Sequence, residues 1–69
     1  MKRTPVTSST VASVGYDPNS MTLEIEFTSS FVYQYFDVPE VEYRNLISAE
    51  SIGEYFNRNI KDKYRCARI

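Results

Sequence analysis

The chain has no histidine, which removes the commonest general base, metal ligand and triad partner at once. Its single cysteine, Cys66, can form no internal disulfide, a usage that suits a reducing, cytoplasmic setting. With no imidazole to activate it, Cys66 reads as an incidental surface thiol. Only Gly15 and Gly53 represent glycine, too few for a GxGxxG or P-loop phosphate cradle. No apolar run approaches the ~20 residues of a membrane span, and MKRTPVTSST lacks the apolar stretch of a signal peptide. A metal site would need carboxylates alone, and Glu24, Glu26, Glu40 and Glu42 read as solvated charge. An enzyme is therefore the least supported class. The expectation is a non-catalytic domain with no cofactor, no metal and no membrane association.

What is present is one small domain of 69 residues, 42% hydrophobic and 25% charged, an ordinary balance for a folded chain. Charge is unevenly placed. Residues 4–56 carry eight acids against Arg44 alone, a balance of −7. From Asn57 onward, Arg58, Lys61, Lys63, Arg65 and Arg68 stand against Asp62 alone. That basic end is either a phosphate-binding feature or a counterweight to the acidic body and to the negative end of a terminal helix.

The organising stretch is Met21–Phe36, MTLEIEFTSSFVYQYF. Leu23, Ile25 and Phe27 alternate with Thr22, Glu24 and Glu26, the two-residue period of a strand with one buried face. Phe31, Tyr33 and Tyr35 alternate with Val32, Gln34 and Phe36 in the same way. A loop of Thr28-Ser29-Ser30 sets Phe27 opposite Phe31, Ile25 opposite Tyr33 and Leu23 opposite Tyr35, with Glu24 and Glu26 in water. A two-residue loop at Ser29-Ser30 would put both tyrosines on the wet face, so the first register is preferred.

Thr10–Tyr16 reads as a strand before this hairpin, with a bulge near Val11 and with Gly15 permitting close backbone approach. Asp17-Pro18-Asn19-Ser20 is the turn between the two. Pro39 suits the first turn of a helix, with Asp37 as a cap and Tyr43, Leu46 and Ile47 on its apolar face. Ser48 or Ser51 begins a second helix; Ser51-Ile52-Gly53-Glu54 matches a capping box, in which serine and glutamate reciprocally satisfy free amides, and Ile52, Tyr55, Phe56 and Ile60 form the helix's stripe. Gly53 in its first turn implies a close helix-to-sheet contact. The expected fold is α+β: a three-stranded antiparallel meander covered on one face by two C-terminal helices. Residues 1–9 form an extended or partly disordered lead-in, 10–64 the domain, and 65–69 a short basic tail.

Six tyrosines and four phenylalanines are the unusual feature. Tyr33 and Tyr35 pack under the helices in the preferred register, with base stacking as the alternative reading.

Ser8-Ser9, VGYD at 14–17, LEIEF at 23–27, YQY at 33–35, Val38-Pro39 and SIGEYFNRNI at 51–60 together resemble the KTSC domain. This is a small bacterial domain of unestablished function, also found at the C-terminus of some lysyl-tRNA synthetases. The likeness covers nearly the whole chain. Its Tyr-x-Tyr pair and downstream Ser-x-Gly-x-Tyr-Phe-Asn are its specific part. Members often carry a turn glycine where this chain has Ser30. The resemblance implies an RNA partner, tRNA first, and with the basic end gives one expectation: Arg58, Lys61, Lys63 and Arg65 on phosphates, with Tyr33, Tyr35 or Phe36 stacking on a base. Arg58, Lys61 and Arg65 would share one helical side if the second helix continues. The alternative is a protein-interaction or homodimerisation module, using Val32 and Phe36 on the outer sheet face or a sheet edge.

Overall fold

The computed structural model describes residues 1–69, and its sheet is built outward from the central hairpin. The strands are β1 (Thr4–Pro5), β2 (Val11–Asp17), β3 (Thr22–Phe27), β4 (Val32–Tyr35) and β5 (Cys66–Arg68); the helices α1 (Glu40–Ser48) and α2 (Ile52–Asn59) come between β4 and β5. The order in the sheet is β1-β2-β3-β4-β5, antiparallel throughout.

The hairpin register is the one that segregates polarity. Leu23 pairs with Tyr35 and Ile25 with Tyr33. The Phe27 amide donates to the Phe31 carbonyl and the Ser30 amide to the Phe27 carbonyl, both at 2.9 Å, which closes the three-residue loop. Ser30 lies at φ 80°, the left-handed position of such a loop, where glycine is at home. In the turn before β3, Asp17 accepts from the Asn19 amide and the Ser20 hydroxyl, each at 3.0 Å. The bulge near the start of β2 falls between Val11 and Ser13.

Five strands replace the expected three. Residues 4–5 and 66–68 are too short to show apolar alternation, so they attach through backbone pairing instead. Residues within the lead-in 1–9 and the tail 65–69 thus supply both edges of the sheet.

Cross-strand rows define two unlike faces. Val14, Ile25, Tyr33 and Arg68 form one row, and Tyr16, Leu23, Tyr35 and Cys66 the next. Leu46 of α1, Ile52 and Phe56 of α2, and Ile60 pack with the apolar members of this face. Tyr16 ties α1 down: its ring stacks on Tyr43 at 5.0 Å and its hydroxyl donates to the Val38 carbonyl at 2.6 Å. Burial, followed by the carboxylates of Glu40 and Asp17, raises the Tyr16 pKa above its ordinary value.

The opposite face is not the wet surface expected. Glu24 retains only 4% of its exposure. Residues 1–3 run beside Gly15, and Arg3 forms an ion pair with Glu24 while Gln34 donates to it at 2.9 Å. Burial pushes the Glu24 carboxyl up, but the bonds from Gln34 and Arg3 outweigh it and hold the pKa below its ordinary value.

Asp37 does not cap α1. It sits at φ 57°, and Pro39 takes the cap position with no side-chain bond. The cause lies in between: Val38 is fully buried, and its amide donates to the Met21 carbonyl at 2.9 Å, so the chain enters the helix directly after it. Of the two serines, Ser51 caps α2, accepting from the Glu54 amide at 3.2 Å, but the reciprocal half of the capping box does not form, and the Glu54 carboxylate pairs with Arg58 instead. A Cβ on Gly53 would lie 3.2 Å from the Thr10 hydroxyl, so the close approach at this glycine is to the segment entering β2 and not to the sheet itself.

Candidate nucleic-acid interface

The end of α2 decides which cations stand together. Ile60 is fully buried, and its amide and that of Lys61 both donate to the Phe56 carbonyl at 3.0 Å, which ends the helix. Residues 61–64 turn away rather than continue it. Arg58, Lys61 and Arg65 therefore do not form a ladder along one helical side.

A buried carboxylate holds that turn. Glu42, 8% exposed, accepts from the hydroxyls of Tyr55 and Tyr64 and pairs with Lys63 at 3.3 Å. Burial raises the Glu42 pKa, but Tyr55, Tyr64 and Lys63 outweigh it and bring it below its ordinary value. Burial and Glu42 together push Tyr64 up to about 12 and raise Tyr55 as well. So Glu42, read from sequence as solvated, is the anchor from which the chain leads into β5. It was missed because its partners lie 13, 21 and 22 residues away.

Beyond the turn, β5 pairs with β4 and opens a groove of about 410 Å³ between the sheet and α2. Phe27, Tyr33, Tyr35, Phe56 and Cys66 make its apolar wall; Thr10, Asn57, Lys61 and Asp62 supply polar groups. The rings are mutually braced. Phe27 meets Tyr33 edge-on at 5.9 Å and Phe56 at 5.3 Å, while Tyr35 meets Phe56 at 5.5 Å. Tyr35 is 4% exposed and belongs to the core. Burial, with Cys66, Tyr33 and Asp62 beside it, pushes its pKa up to about 12. Tyr33 is half-buried, with its ring 6.4 Å from that of Tyr35. The packed role preferred from sequence holds for Tyr35, and Tyr33 lies at the boundary.

The structure brings Tyr33, Tyr35 and Lys61 together and separates the other sequence candidates. Arg58 pairs with Glu54 at 3.0 Å and lines a different cleft, beside residues 7–10. Lys63 belongs to the Glu42 anchor. Arg65 pairs with Asp37 at 3.2 Å and lies 5.6 Å from the centre of the Phe36 ring, away from the groove. Lys61 enters none of the five ion pairs.

Sequence reading missed Arg68 as part of this surface. Arg68 stands opposite Tyr33 in the β4–β5 register, and its guanidinium lies 5.0 Å from the centre of the Phe31 ring. Phe31, expected in the apolar face, is 52% exposed beneath it. Only the pairing of β5, which no periodicity announces, puts these two residues together. Cys66 is exposed and borders the groove. No three His, Cys, Asp or Glu side chains converge as metal ligands would, and no helix is long and apolar enough to cross a membrane.

The whole arrangement has close relatives. The crystal structure of a KTSC domain protein from Yersinia pestis superposes with a TM-score of 0.97 at 46% identity, covering 99% of this chain and 96% of that one. An uncharacterised protein of Stutzerimonas stutzeri is 43% identical over 70 residues, covering all of this chain and 99% of its own. A lysine–tRNA ligase of Nostoc punctiforme is 40% identical over 61 residues, which span 88% of this chain but 11% of the ligase. The KTSC domain family model matches residues 7–64, and on that match and these likenesses the chain belongs to the KTSC domain family.

Proposed function

We propose that this domain is a non-catalytic, cytoplasmic RNA-binding accessory module, with tRNA as the first class of partner to test. The observation that carries the reading is the aromatic-walled groove with an unpaired cation, Lys61, on its rim and Arg68 on the neighbouring strand. Stretches like this chain occur within lysine–tRNA ligases, whose names place them beside tRNA.

The cations are not equivalent in this reading. Exposed ion pairs are worth only ~0–1 kcal/mol, so Arg58 and Arg65 could exchange partners, but the carboxylates of Glu54 and Asp37 would still repel an incoming phosphate. Lys63 is committed to Glu42. Lys61 and Arg68 form no ion pair with a carboxylate, and phosphate contacts supply most nonspecific affinity.

Titration with mixed tRNA at low and high salt tests the reading. Wild type binds at low salt and weakens as salt rises. Lys61→Gln with Arg68→Gln loses most of the affinity, whereas Arg44→Gln, which interrupts an α1 surface pair, does not. Absence of wild-type binding at low salt removes the proposal.

The second reading is a protein partner or self-association, and one observation favours it: all three residues of the edge strand β5 are exposed. On the outer face only part of the surface is available, because Arg3 covers Glu24 between the strands. A stable homodimer in sedimentation would support this reading.

A further inference from the structure

We infer that the groove receives a single unpaired RNA base, whose stacking on the aromatic wall adds to the phosphate contacts of Lys61 and Arg68. The inference rests on the RNA reading above and names the form of RNA the site accepts.

The first ground is the number of free cations. Arg3, Arg44, Arg58, Lys63 and Arg65 are all tied to carboxylates. Of the remaining three, Lys2 lines a cleft on the outer face beside Asp17 and Gln34. Lys61 and Arg68 are left beside the groove, enough for about two phosphates. A duplex held mainly by its backbone needs a longer row of cations, since each neutralised phosphate contributes separately.

The second ground is shape. Half-buried Phe27 and Tyr33 present ring surface inside a concave wall, with Phe56 and Tyr35 fixing them from behind. A base within a duplex has its faces covered by its neighbours and cannot enter. An unpaired base can offer a face to these rings, as sequence-tolerant single-strand sites use aromatic side chains.

The third ground is the polar equipment of the rim. Asn57 offers both amide donors and a carbonyl acceptor, and Asp62 offers acceptors alone. Together they match the mixed donors and acceptors of an exposed base edge. Asp62 would repel a phosphate at the same point, which favours a base edge there and leaves the backbone to Lys61 and Arg68.

Short single-stranded RNA and the same sequence as a duplex, titrated by fluorescence anisotropy over a salt series, test the inference together with tRNA. The single strand should bind more tightly than the duplex. Its affinity should fall with salt on a log–log slope of roughly −1.4, the value for two phosphates. Tyr33→Leu should weaken single-strand binding by roughly 5- to 150-fold, the range for one stacked base, and Tyr33→Phe should not. Amide shifts of the wild-type protein on adding single strand provide a measurement independent of any variant's folding. They should centre on Tyr33, Asn57, Lys61 and Asp62.

The two readings fail differently. If neither tRNA nor either oligonucleotide binds at low salt, the RNA function falls and the base slot with it. If tRNA binds but duplex equals or exceeds single strand, the slope is twice as steep, or the shifts fall around Arg58 instead, only the base slot is overturned.

Discussion

The side chain of Arg3 crosses Gly15 to reach Glu24, two strands away. Gly15 pairs with Glu24, and Glu24 with Gln34, so the three share an outer-face row. A Cβ on Gly15 would lie 3.1 Å from Cγ of Arg3, and the missing side chain is what leaves a channel for the guanidinium stem. A carboxylate read from alternation as solvated is thereby roofed by the first residues of the chain.

Removing the roof should be costly. Arg3→Ala leaves the Glu24 side chain, 6% exposed, without its charged partner, and should destabilise by ~1–3 kcal/mol in urea melts near neutral pH. Adding Glu24→Gln should then cost less than the sum of the two single changes, because the residues are coupled. Additive effects, or an Arg3→Ala change below about 0.5 kcal/mol, would mean the pair is idle.

Gly15→Ala acts on the same crossing through the backbone. Its Cβ would stand 2.7 Å from the Lys2 carbonyl oxygen, which cannot swing aside as a flexible side chain could. The expected loss is ~1–3 kcal/mol, with the amides of residues 1–5 shifting in heteronuclear NMR spectra. Unchanged stability would show that β1 contributes little to the fold.

The loop residue Ser30 predicts the opposite sign. A non-glycine residue at φ 80° pays a steric cost of about 1 kcal/mol. Ser30→Gly should therefore raise the denaturation midpoint, offset in part by the freer unfolded chain. A lower midpoint would mean that chain entropy outweighs the relief.

These cases show what the sequence made legible. The β2–β3–β4 meander, its register, the bulge near Val11 and the Ser51 cap were all readable, because each has a local signature of alternation or hydrogen-bonding type. Both edge strands were not, since two or three residues cannot display a period. Glu24 and Glu42 were misread for a related reason. A polar residue at an outward position says nothing of whether a distant Arg3 or Tyr64 will fold over it. Gly15, beside Glu24 in register, was the available hint. Of the residues lining the groove, Tyr33 and Lys61 were sequence candidates, from strand alternation and charge distribution, whereas Arg68 and Phe31, which lie outside it, come together only through the β4–β5 pairing. The supposed Arg58–Lys61–Arg65 row failed because the burial of Ile60 ends the helix first.

Stability should fall at both ends of the pH scale, for separable reasons. Glu24 and Glu42 have folded pKa values below the ordinary 4.5, so their contribution is present above that value and is lost as pH falls through the lowered ones. Tyr35 and Tyr64 are raised from 10.0 to about 12, so theirs is present below 10.0 and lost as pH rises towards 12. Denaturant midpoints measured across pH should thus show a plateau between two falling limbs. Glu42→Gln should make the acid limb shallower, since one of its two groups is gone. An acid limb as steep as that of wild type would detach Glu42 from acid sensitivity.

The Glu42 anchor also links stability to the proposed interface. Tyr64 donates its hydroxyl to Glu42 at 2.8 Å from the turn that carries Lys61 and Asp62 and leads into β5. Tyr64→Phe keeps the ring but deletes that bond to a charged acceptor, an expected loss of ~1.5–3 kcal/mol. If the bond acts as a local anchor, the consequence is not uniform. The Ile69 amide, which donates to the Val32 carbonyl at 2.9 Å, should exchange with solvent faster, while the Ile25 amide in the central strand should slow or quicken only with global stability. Because Arg68 is carried by β5, RNA affinity should fall in the same variant even though Tyr64 lines no part of the groove. Equal acceleration at Ile69 and Ile25 would make Tyr64 a contributor to overall stability alone. Faster exchange at Ile69 with unchanged RNA affinity would show that β5 does not present the binding residues.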